Sequence, residues 1–384
     1  MVRADQSMLP FDFQPRTRVV FGRGALLGLG RFACELGSKR VLIVTDKGIA
    51  GAGHAARARQ ILEKEGVSVS LFDGVRENPD TEDVSRCVSA ARECGVDLFV
   101  GLGGGSSLDT AKGANFILTN GGQMRDYHGI GKAMKPMLPL IAVPTTAGTG
   151  SECQSFALIT DPATHLKMAC GDPKAAARIA LLDPELTVSQ PARVSACTGV
   201  DALVHSLETA VTKKRNEISK IFSREAFRLI IHALPEVLAR PEDIEARGAM
   251  LLGAAYAGIA IENSMLGCAH SAANPLTAHF GIVHGHAVGR LIPSVMKRNS
   301  REEFVLDEYH ILAELAGFSC LDTLIGRIEE ILAIAGLGGP LGRHGVREDA
   351  IGKMAREAVA QWTASFNPVE YTVGDFEEIY REVL

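Results

Sequence analysis

The sequence predicts an α/β domain with a mostly parallel sheet, followed by an all-helical domain. Up to about residue 183, short apolar runs rich in β-branched residues alternate with amphipathic helical segments. After Asp183-Pro184 the β-branched runs disappear, and residues 192–384 show an Ala- and Leu-rich helical periodicity. A chain of 384 residues is long enough for about two domains. We therefore expect domains at 1–184 and 185–384.

Six segments of the first half have the length and composition of buried strands. Amphipathic stretches such as 55–66 and 81–95 lie between them and predict helices. Apolar strands that alternate with helices form βαβ units, so the sheet is expected to be mostly parallel. The predicted strands are 18–21, 40–45, 67–72, 97–103, 138–144 and 179–182.

The second half carries helical patterns such as 224–239 and 321–336. Its most apolar run, 251–261, is too short to span a bilayer and is followed by Glu262. Residues 1–13 contain no apolar segment typical of a signal peptide. The sequence therefore predicts neither a membrane partner nor export.

Composition narrows the functional class. The chain is 46% hydrophobic and 22% charged, which is typical of a folded globular protein. Its net charge of -5, without a basic patch, gives no indication of a nucleic-acid partner. Eight cysteines occur without a CxxC pair, which indicates reduced thiols in a reducing compartment. We expect a cytoplasmic protein that acts on a small molecule.

A glycine-rich turn follows the fourth predicted strand in FVGLGGGSSLDTAK, residues 99–112. The glycines at 103–105 would let the backbone approach a ligand closely, and Ser106 and Ser107 are expected to cap the following helix. The free N–H groups of that helix would bind a phosphate. The turn is neither GxGxxG nor a P-loop, and a purely structural tight turn is the alternative.

Two further loops follow predicted strands in the same domain. Asp46, in VTDKG, could accept hydrogen bonds from both hydroxyls of an adenine ribose, or could simply cap a helix. The loop VPTTAGTGSE offers the hydroxyls of Thr145, Thr146, Thr149 and Ser151 to a phosphate or ribose, although an ordinary polar loop looks similar. Parallel sheets bind ligands at the carboxyl ends of their strands, so the three loops favour a Rossmann-like dinucleotide site.

Histidines are concentrated in GCAHSAANPLTAHFGIVHGHAVG, residues 267–289. His270 is predicted near the end of a helix that Pro275 terminates, and His284 in the loop beyond. For His279 and His286 we favour hydrogen-bonded interior positions.

An earlier helical segment carries Asp201 and His205, which are spaced i,i+4 and so face one side of a helix. With His270 and His284 they give one carboxylate and three imidazoles, which suits Fe(II), Zn(II) or Mn(II). Each histidine taken alone could equally be an interior residue without a metal.

Together these motifs resemble the iron-containing (group III) alcohol dehydrogenase family over nearly the whole chain. The resemblance implies a dehydroquinate synthase-like two-domain fold with a cleft between the domains. It implies a metal-dependent, NAD(H)-linked oxidoreductase that interconverts an alcohol and an aldehyde or ketone, as a homodimer or larger homo-oligomer. The matching segments are GGGSSLDTAK (103–112), PTTAGTGSE (144–152), TGVDALVHSLE (198–208) and HxxxNP…HGHA (270–287).

The resemblance also implies roles for individual residues. The metal, usually Fe2+ and sometimes Zn2+, would be held by Asp201, His205, His270 and His284. The candidate catalytic positions are His270, His284 and Asn274. Contacts with NAD would come from Asp46, Asn78, Gly104, Gly105, Ser106, Asp109, Thr145, Thr146, Thr149 and Lys167.

Asn274 departs from the family pattern, because many members have a histidine there that is a candidate proton relay. An amide does not titrate near neutrality, so another group such as His279, or a water, would have to serve.

Four other functions remain open from the sequence. Maleylacetate reductase and glycerol dehydrogenase are neighbouring activities, although glycerol dehydrogenase usually holds its zinc with three ligands. A dehydroquinate synthase-like lyase would need a basic cluster for a phosphorylated substrate, and none is evident in residues 198–290. The complete metal set argues against a binding protein without catalysis.

Overall fold

The computed structural model describes residues 9–164 and 166–384. They form two compact units, Pro15–Gln190 and Pro191–Leu384, and the described residues up to Gln14 belong with the second. Phe13 accordingly packs its ring 6.3 Å from that of Phe222. The predicted absence of a signal peptide concerns residues 1–13, of which the first eight lie outside the described residues.

The first unit is built on a six-stranded sheet in which every pairing is parallel, as predicted. The strand order is β1-β9-β6-β4-β2-β3. The central strands β4, β6 and β9 are buried along their whole length, as expected for a sheet covered on both faces. The strands are β1 (Arg18–Phe21), β2 (Arg40–Val44), β3 (Ser68–Phe72), β4 (Leu98–Gly103), β6 (Leu140–Pro144) and β9 (Ile179–Leu182).

Helices cover both faces of this sheet. Alternate residues of one strand point to opposite faces, so Leu42 lies in one hydrophobic cluster and its neighbours Val41 and Ile43 lie in the other. The helices are α1 (Leu29–Glu35), α2 (Lys47–Gly51), α3 (His54–Lys64), α4 (Thr81–Cys94) and α5 (Gly105–Asn120).

A second, three-stranded sheet was not predicted. Its order is β5-β8-β7, with β7 and β8 antiparallel. Strand β5 has only two residues, and β8 has the sequence KMACG, which has little β propensity of its own. The strands are β5 (Gly129–Ile130), β7 (Phe156–Thr160) and β8 (Lys167–Gly171).

The second unit is helical, as predicted, with α6 packed against α7, α8 and α10. Its helices are α6 (Ala192–Val211), α7 (Glu217–Ala239), α8 (Ile244–Ser264), α9 (Cys268–Phe280), α10 (His284–Asn299), α11 (Glu303–Leu315), α12 (Leu321–Ile334), α13 (Glu348–Val359) and α14 (Val373–Val383).

The apolar run 251–261 belongs to the longer helix α8. Among the described residues α8 alone is long and apolar enough to cross a membrane, but 67% of its most apolar window is buried inside the protein. A helix in a protein core has the same length and composition, so this feature is weak evidence for a membrane segment.

Two local predictions in the histidine-rich region were wrong. Pro275 lies inside α9 rather than at its end, so His270 is the third residue of the helix. Burial of Ala272, Ala273 and Leu276 around the proline offsets its cost of about 3 kcal/mol in a helix. His284 is the first residue of α10 and not part of a loop.

Candidate active site

Helix α6 presents three buried polar side chains on one face. Asp201, His205 and Glu208 are spaced i, i+4 and i+7, and each is less than a tenth exposed. Such groups are stable in a helix core only when other polar atoms or an ion satisfy them.

Three of the four predicted metal ligands, the histidines, lie around a carboxylate oxygen of the fourth, Asp201. Oδ1 of Asp201 lies 3.6 Å from Nε2 of His205, 3.6 Å from Nε2 of His270 and 3.9 Å from Nε2 of His284. The rings of His205 and His270 stack with centroids 4.8 Å apart.

These separations suit a shared metal ion for Asp201, His270 and His284, whose ligand atoms all lie within 4.8 Å of one another. His205 lies near Oδ1 of Asp201 but falls outside that group. Two atoms that bind one ion at about 2.1 Å and at a tetrahedral angle lie about 3.4 Å apart. Oδ1 of Asp201 and Nε2 of His270 are buried and have no hydrogen-bond partner among the described residues. A cation between them would satisfy both atoms.

The charges in the cluster are strongly coupled. Burial disfavours ionisation of Asp201, but the three histidines, led by His205, outweigh it and hold the pKa of that carboxyl well below its usual range. Burial lowers the pKa of His270, but Glu208 and Asp201 outweigh it and raise that pKa to about 9. A metal ion would therefore compete with protons for the imidazoles.

Glu208 was not predicted and supports the cluster from α6. Its Oε2 lies 2.6 Å from Nδ1 of His270 and accepts the Gly267 N–H at 2.9 Å, while Oε1 accepts the Ala269 N–H at 2.7 Å. Its spacing from Asp201 and His205 was a usable signal, but a lone glutamate three residues after a histidine is usually a surface residue.

Helix α10 reaches α6 because two of its residues lack side chains. A Cβ atom on Gly285 would collide with the backbone carbonyl of Cys197, and one on Gly289 would lie 2.5 Å from Cγ1 of Val200. This close approach brings His284, next to Gly285, within reach of Asp201.

Two further polar residues of α9, Asn274 and His279, lie outside the cluster of metal ligands. Asn274 is one turn after His270, and its Nδ2 donates to Oε1 of Gln361 at 3.0 Å. The interior position predicted for His279 was wrong: this residue is exposed in the last turn of α9, where it pairs with Glu357 at 2.6 Å. It lies about 13 Å farther along the helix axis than His270.

His286 is buried, as favoured from the sequence. Its ring packs edge-on against that of His344, with the centroids 4.9 Å apart. Burial lowers the pKa of His286 to about 4.

The predicted dinucleotide loops converge at the carboxyl end of the parallel sheet. Gly103 has a φ of 151°, and a Cβ atom there would strike Oγ of Ser107 and lie 3.6 Å from Oδ2 of Asp46. A Cβ atom on Gly104 would lie 3.3 Å from Oγ1 of Thr146, and one on Gly105 would lie 2.9 Å from Oγ1 of Thr149.

The start of α5 differs from the prediction. Its N-cap is Gly104, which has no side chain to cap the helix, whereas Ser106 and Ser107 lie inside the first turn. Ser107 is buried beneath the turn, which removes it from a capping position. In the described part of the chain the first N–H groups of α5 therefore have no side-chain cap, which suits them to bind a phosphate.

The other predicted cofactor contacts occupy different positions. Asp46 caps α2, with Oδ1 accepting the Ile49 N–H at 3.0 Å, and its other oxygen faces the glycine turn. Oγ1 of Thr145 is buried without a hydrogen-bond partner among the described residues. Asn78 has a φ of 52°, in the left-handed region that asparagine tolerates. Lys167 begins β8.

Asp109 is engaged within the protein. Its Oδ1 accepts from Oγ of Ser151 at 2.7 Å, and its Oδ2 accepts from the Leu158 N–H at 3.1 Å. Burial raises the pKa of Asp109, although Lys112 opposes this. The completely buried Lys112 was not predicted, and its ammonium group donates to the same loop.

Glu152 ends the threonine-rich loop, and burial raises its pKa from 4.5 to about 7. The folded protein therefore holds a proton that the unfolded chain loses at lower pH, so this group reduces stability as the pH rises from 4.5 to 7.

The glutamine side chain of Glu152→Gln cannot ionise. We therefore expect the difference in unfolding temperature between this variant and the wild type to shift in favour of the variant from pH 5 to pH 8. Thermal unfolding at both pH values measures this difference. Glu63→Gln, at an exposed position of α3, is the control. A difference for Glu152→Gln that does not change with pH would contradict the prediction.

Comparisons with known proteins identify the family. Residues 15–184 match the model of iron-containing alcohol dehydrogenase, and residues 195–384 match that of the C-terminal part of the Fe-containing alcohol dehydrogenase family. The chain is 34% identical to the NAD-dependent methanol dehydrogenase of Bacillus methanolicus over 373 residues, which cover 95% of this chain and 97% of that protein.

Two further relatives span nearly the whole chain. Lactaldehyde reductase of Escherichia coli K12 is 31% identical over 94% of this chain and 96% of its own length. The crystal structure of a 1,3-propanediol oxidoreductase superposes with a TM-score of 0.94 at 30% identity, covering 98% of this chain and 100% of that one. The chain thus belongs to the iron-containing alcohol dehydrogenase family.

Proposed function

We propose that this protein is an NAD(H)-linked, metal-dependent oxidoreductase that interconverts a small alcohol and its aldehyde or ketone. The observation that carries the proposal is the convergence of three imidazole nitrogens on Oδ1 of Asp201. The NAD dependence of the methanol dehydrogenase relative supports the choice of cofactor.

Asp201, His205, His270 and His284 would hold the metal, which we propose to be Fe2+, with Zn2+ accepted by the same ligands. When bound, a divalent ion supplies Lewis acidity that lowers the pKa of an alcohol hydroxyl or polarises a carbonyl. The four ligands come from three helices, so the packing of α6, α9 and α10 sets their geometry.

The α/β unit would bind the cofactor at the carboxyl end of its sheet. The uncapped N–H groups of α5 suit the diphosphate, and the hydroxyls of Thr145, Thr146 and Thr149 line the same turn. The free oxygen of Asp46 would accept from a ribose hydroxyl and repel a 2′-phosphate, which favours NAD over NADP. The hydrogen bonds that Asp109 accepts from Ser151 and Leu158 favour a role in holding the threonine-rich loop over direct contact with NAD. Asn78, Gly104, Gly105, Ser106 and Lys167 remain proposed contacts.

When bound, NAD would supply the hydride acceptor for oxidation of the alcohol, and the hydroxyl would have to lose a proton. Asn274 can donate a hydrogen bond to a substrate oxygen but cannot take up that proton near neutral pH. We therefore propose that a water molecule carries it, since His279 is paired with Glu357 well away from His270.

Metal removal tests the proposed function. Protein purified without oxygen is expected to contain about one Fe2+ or Zn2+ per chain and to oxidise NADH with short-chain aldehydes. A chelator should abolish turnover but leave NADH binding, measured by fluorescence, intact. Restoration of turnover by the added metal ion completes the test. Full turnover in metal-free protein would refute the proposal.

We also propose that the protein is cytoplasmic and forms a homodimer or larger homo-oligomer. Six of the cysteines are free thiols in the structure, which suits a reducing compartment: Cys34, Cys87, Cys94, Cys170, Cys268 and Cys320. Light scattering coupled to size-exclusion chromatography measures the assembly, and cell fractionation measures the location.

A further inference from the structure

We propose that Glu208 is a positioning residue that fixes the tautomer and orientation of His270 and thereby sets the affinity of the site for metal. This inference rests on the metal site of the proposed function. It adds a residue that neither ligates the metal nor contacts the substrate.

Glu208 belongs to α6, and its side chain is buried beside the start of α9. Its side chain is 3% exposed, and no lysine or arginine among the described residues forms an ion pair with it. Instead it accepts two backbone N–H groups of the first turn of α9, from Gly267 and Ala269, and contacts Nδ1 of His270 at 2.6 Å. One carboxylate thus caps α9 and holds the third residue of that helix.

The chemistry of this contact determines which ring nitrogen is available. An ionised carboxylate can only accept hydrogen bonds, so Nδ1 of His270 must carry the proton. When His270 is neutral, as a metal ligand must be, the lone pair of Nε2 points toward Oδ1 of Asp201, 3.6 Å away. Both atoms are then acceptors without a partner among the described residues, so a cation satisfies them together.

Glu208→Gln separates orientation from packing because it keeps the size of the side chain. Oε2 of Glu208 faces two donors, the Gly267 N–H and Nδ1–H of His270, so the amide oxygen takes that position and the NH2 group meets the Ala269 N–H. A neutral amide oxygen is a weaker acceptor than a carboxylate, so Nδ1–H of His270 is held less firmly and the tautomer protonated at Nε2, the atom that must bind the metal, becomes more populated. Loss of such a supporting contact lowers metal affinity about 10–100-fold.

Two controls loosen the start of α9 without touching the imidazole ring. Ser271→Ala removes the hydrogen bond from Oγ of Ser271 to the Gly267 carbonyl at 3.0 Å. Asn367→Ala removes the acceptor of the Cys268 N–H at 3.1 Å. Both are expected to lower thermal stability while changing metal affinity much less than Glu208→Gln does.

The experiment is a Co2+ titration of metal-free full-length protein, followed by visible absorption, with NADH fluorescence as a check that each variant is folded. Selective 15N labelling of histidine reports the tautomer of His270 in the metal-free state, at a pH high enough to leave the ring neutral. We expect weakened Co2+ binding and a larger share of the Nε2–H tautomer in Glu208→Gln, with much smaller changes in Ser271→Ala and Asn367→Ala. Should that variant fail to fold, Glu208→Asp, which remains an acceptor, is expected to keep the Nδ1–H tautomer.

Wild-type Co2+ affinity in Glu208→Gln would overturn the inference, as would an equal loss in Ser271→Ala. A wild-type protein that binds no Co2+ at all would instead overturn the metal site itself. The proposed function and the role of Glu208 can therefore fail separately.

Discussion

Gly285→Ala is expected to lose stoichiometric metal and nearly all turnover while the α/β unit still binds NADH. The new Cβ atom would collide with the backbone carbonyl of Cys197, which cannot rotate away as a side chain could. Relief requires α10 to move away from α6, and His284 moves with it. A metal site tolerates displacements of only about 0.5 Å, so the four ligands would no longer share one ion.

Elemental analysis of the variant and NADH fluorescence measure these two outcomes. Gly326→Ala is a matched control, because no atom lies within 4 Å of its Cβ position in α12. Alanine there should stabilise the helix by up to about 1 kcal/mol. Gly289→Ala should be milder than Gly285→Ala, because its Cβ atom meets side chains of Val200 and Leu332 that can shift. A full complement of metal in Gly285→Ala would show that the close approach is not required.

The centre of the large sheet was predictable because its inner strands are buried on both faces. Runs such as RVLIV (40–44) and LIAVP (140–144) are continuous apolar segments, and their predicted ends lie within two residues of the observed ones. The small sheet lacks that pattern. Strand β8 exists because it pairs with β7 and β5, a long-range effect that no local sequence window contains.

The predicted metal site depended on local spacing, while its support depends on contacts between helices. The separation of Asp201 and His205 indicates a shared helix face from sequence alone. The end of α9 was misplaced because Pro275 normally breaks a helix, and burial of the surrounding residues outweighs that local preference. Glu208 and Gly285 act on residues far away in sequence, so their roles were visible only in three dimensions.

Lys112→Met is expected to destabilise the α/β unit by about 3–5 kcal/mol and to weaken NADH binding. The ammonium group of Lys112 is completely buried and donates to the carbonyls of Ser151, Gln154 and Phe156 at 2.6, 2.8 and 2.9 Å. It also opposes the cost of burying Asp109. Methionine fills a similar volume but removes the ammonium donor from these three carbonyls.

The loss should extend to the cofactor because Lys112 fixes the threonine-rich loop. Oγ of Ser151 accepts a hydrogen bond from Nζ of Lys112 and donates one to Oδ1 of Asp109. These three side chains hold the segment that begins at Thr145 and lies over the glycine turn. Thermal unfolding and NADH fluorescence measure the two effects. Lys64→Met, at an exposed position of α3, is the control and should change both by little. If Lys112→Met kept the NADH affinity of the wild type while losing stability, the buried lysine would serve the fold alone, and the loop would hold its shape without it.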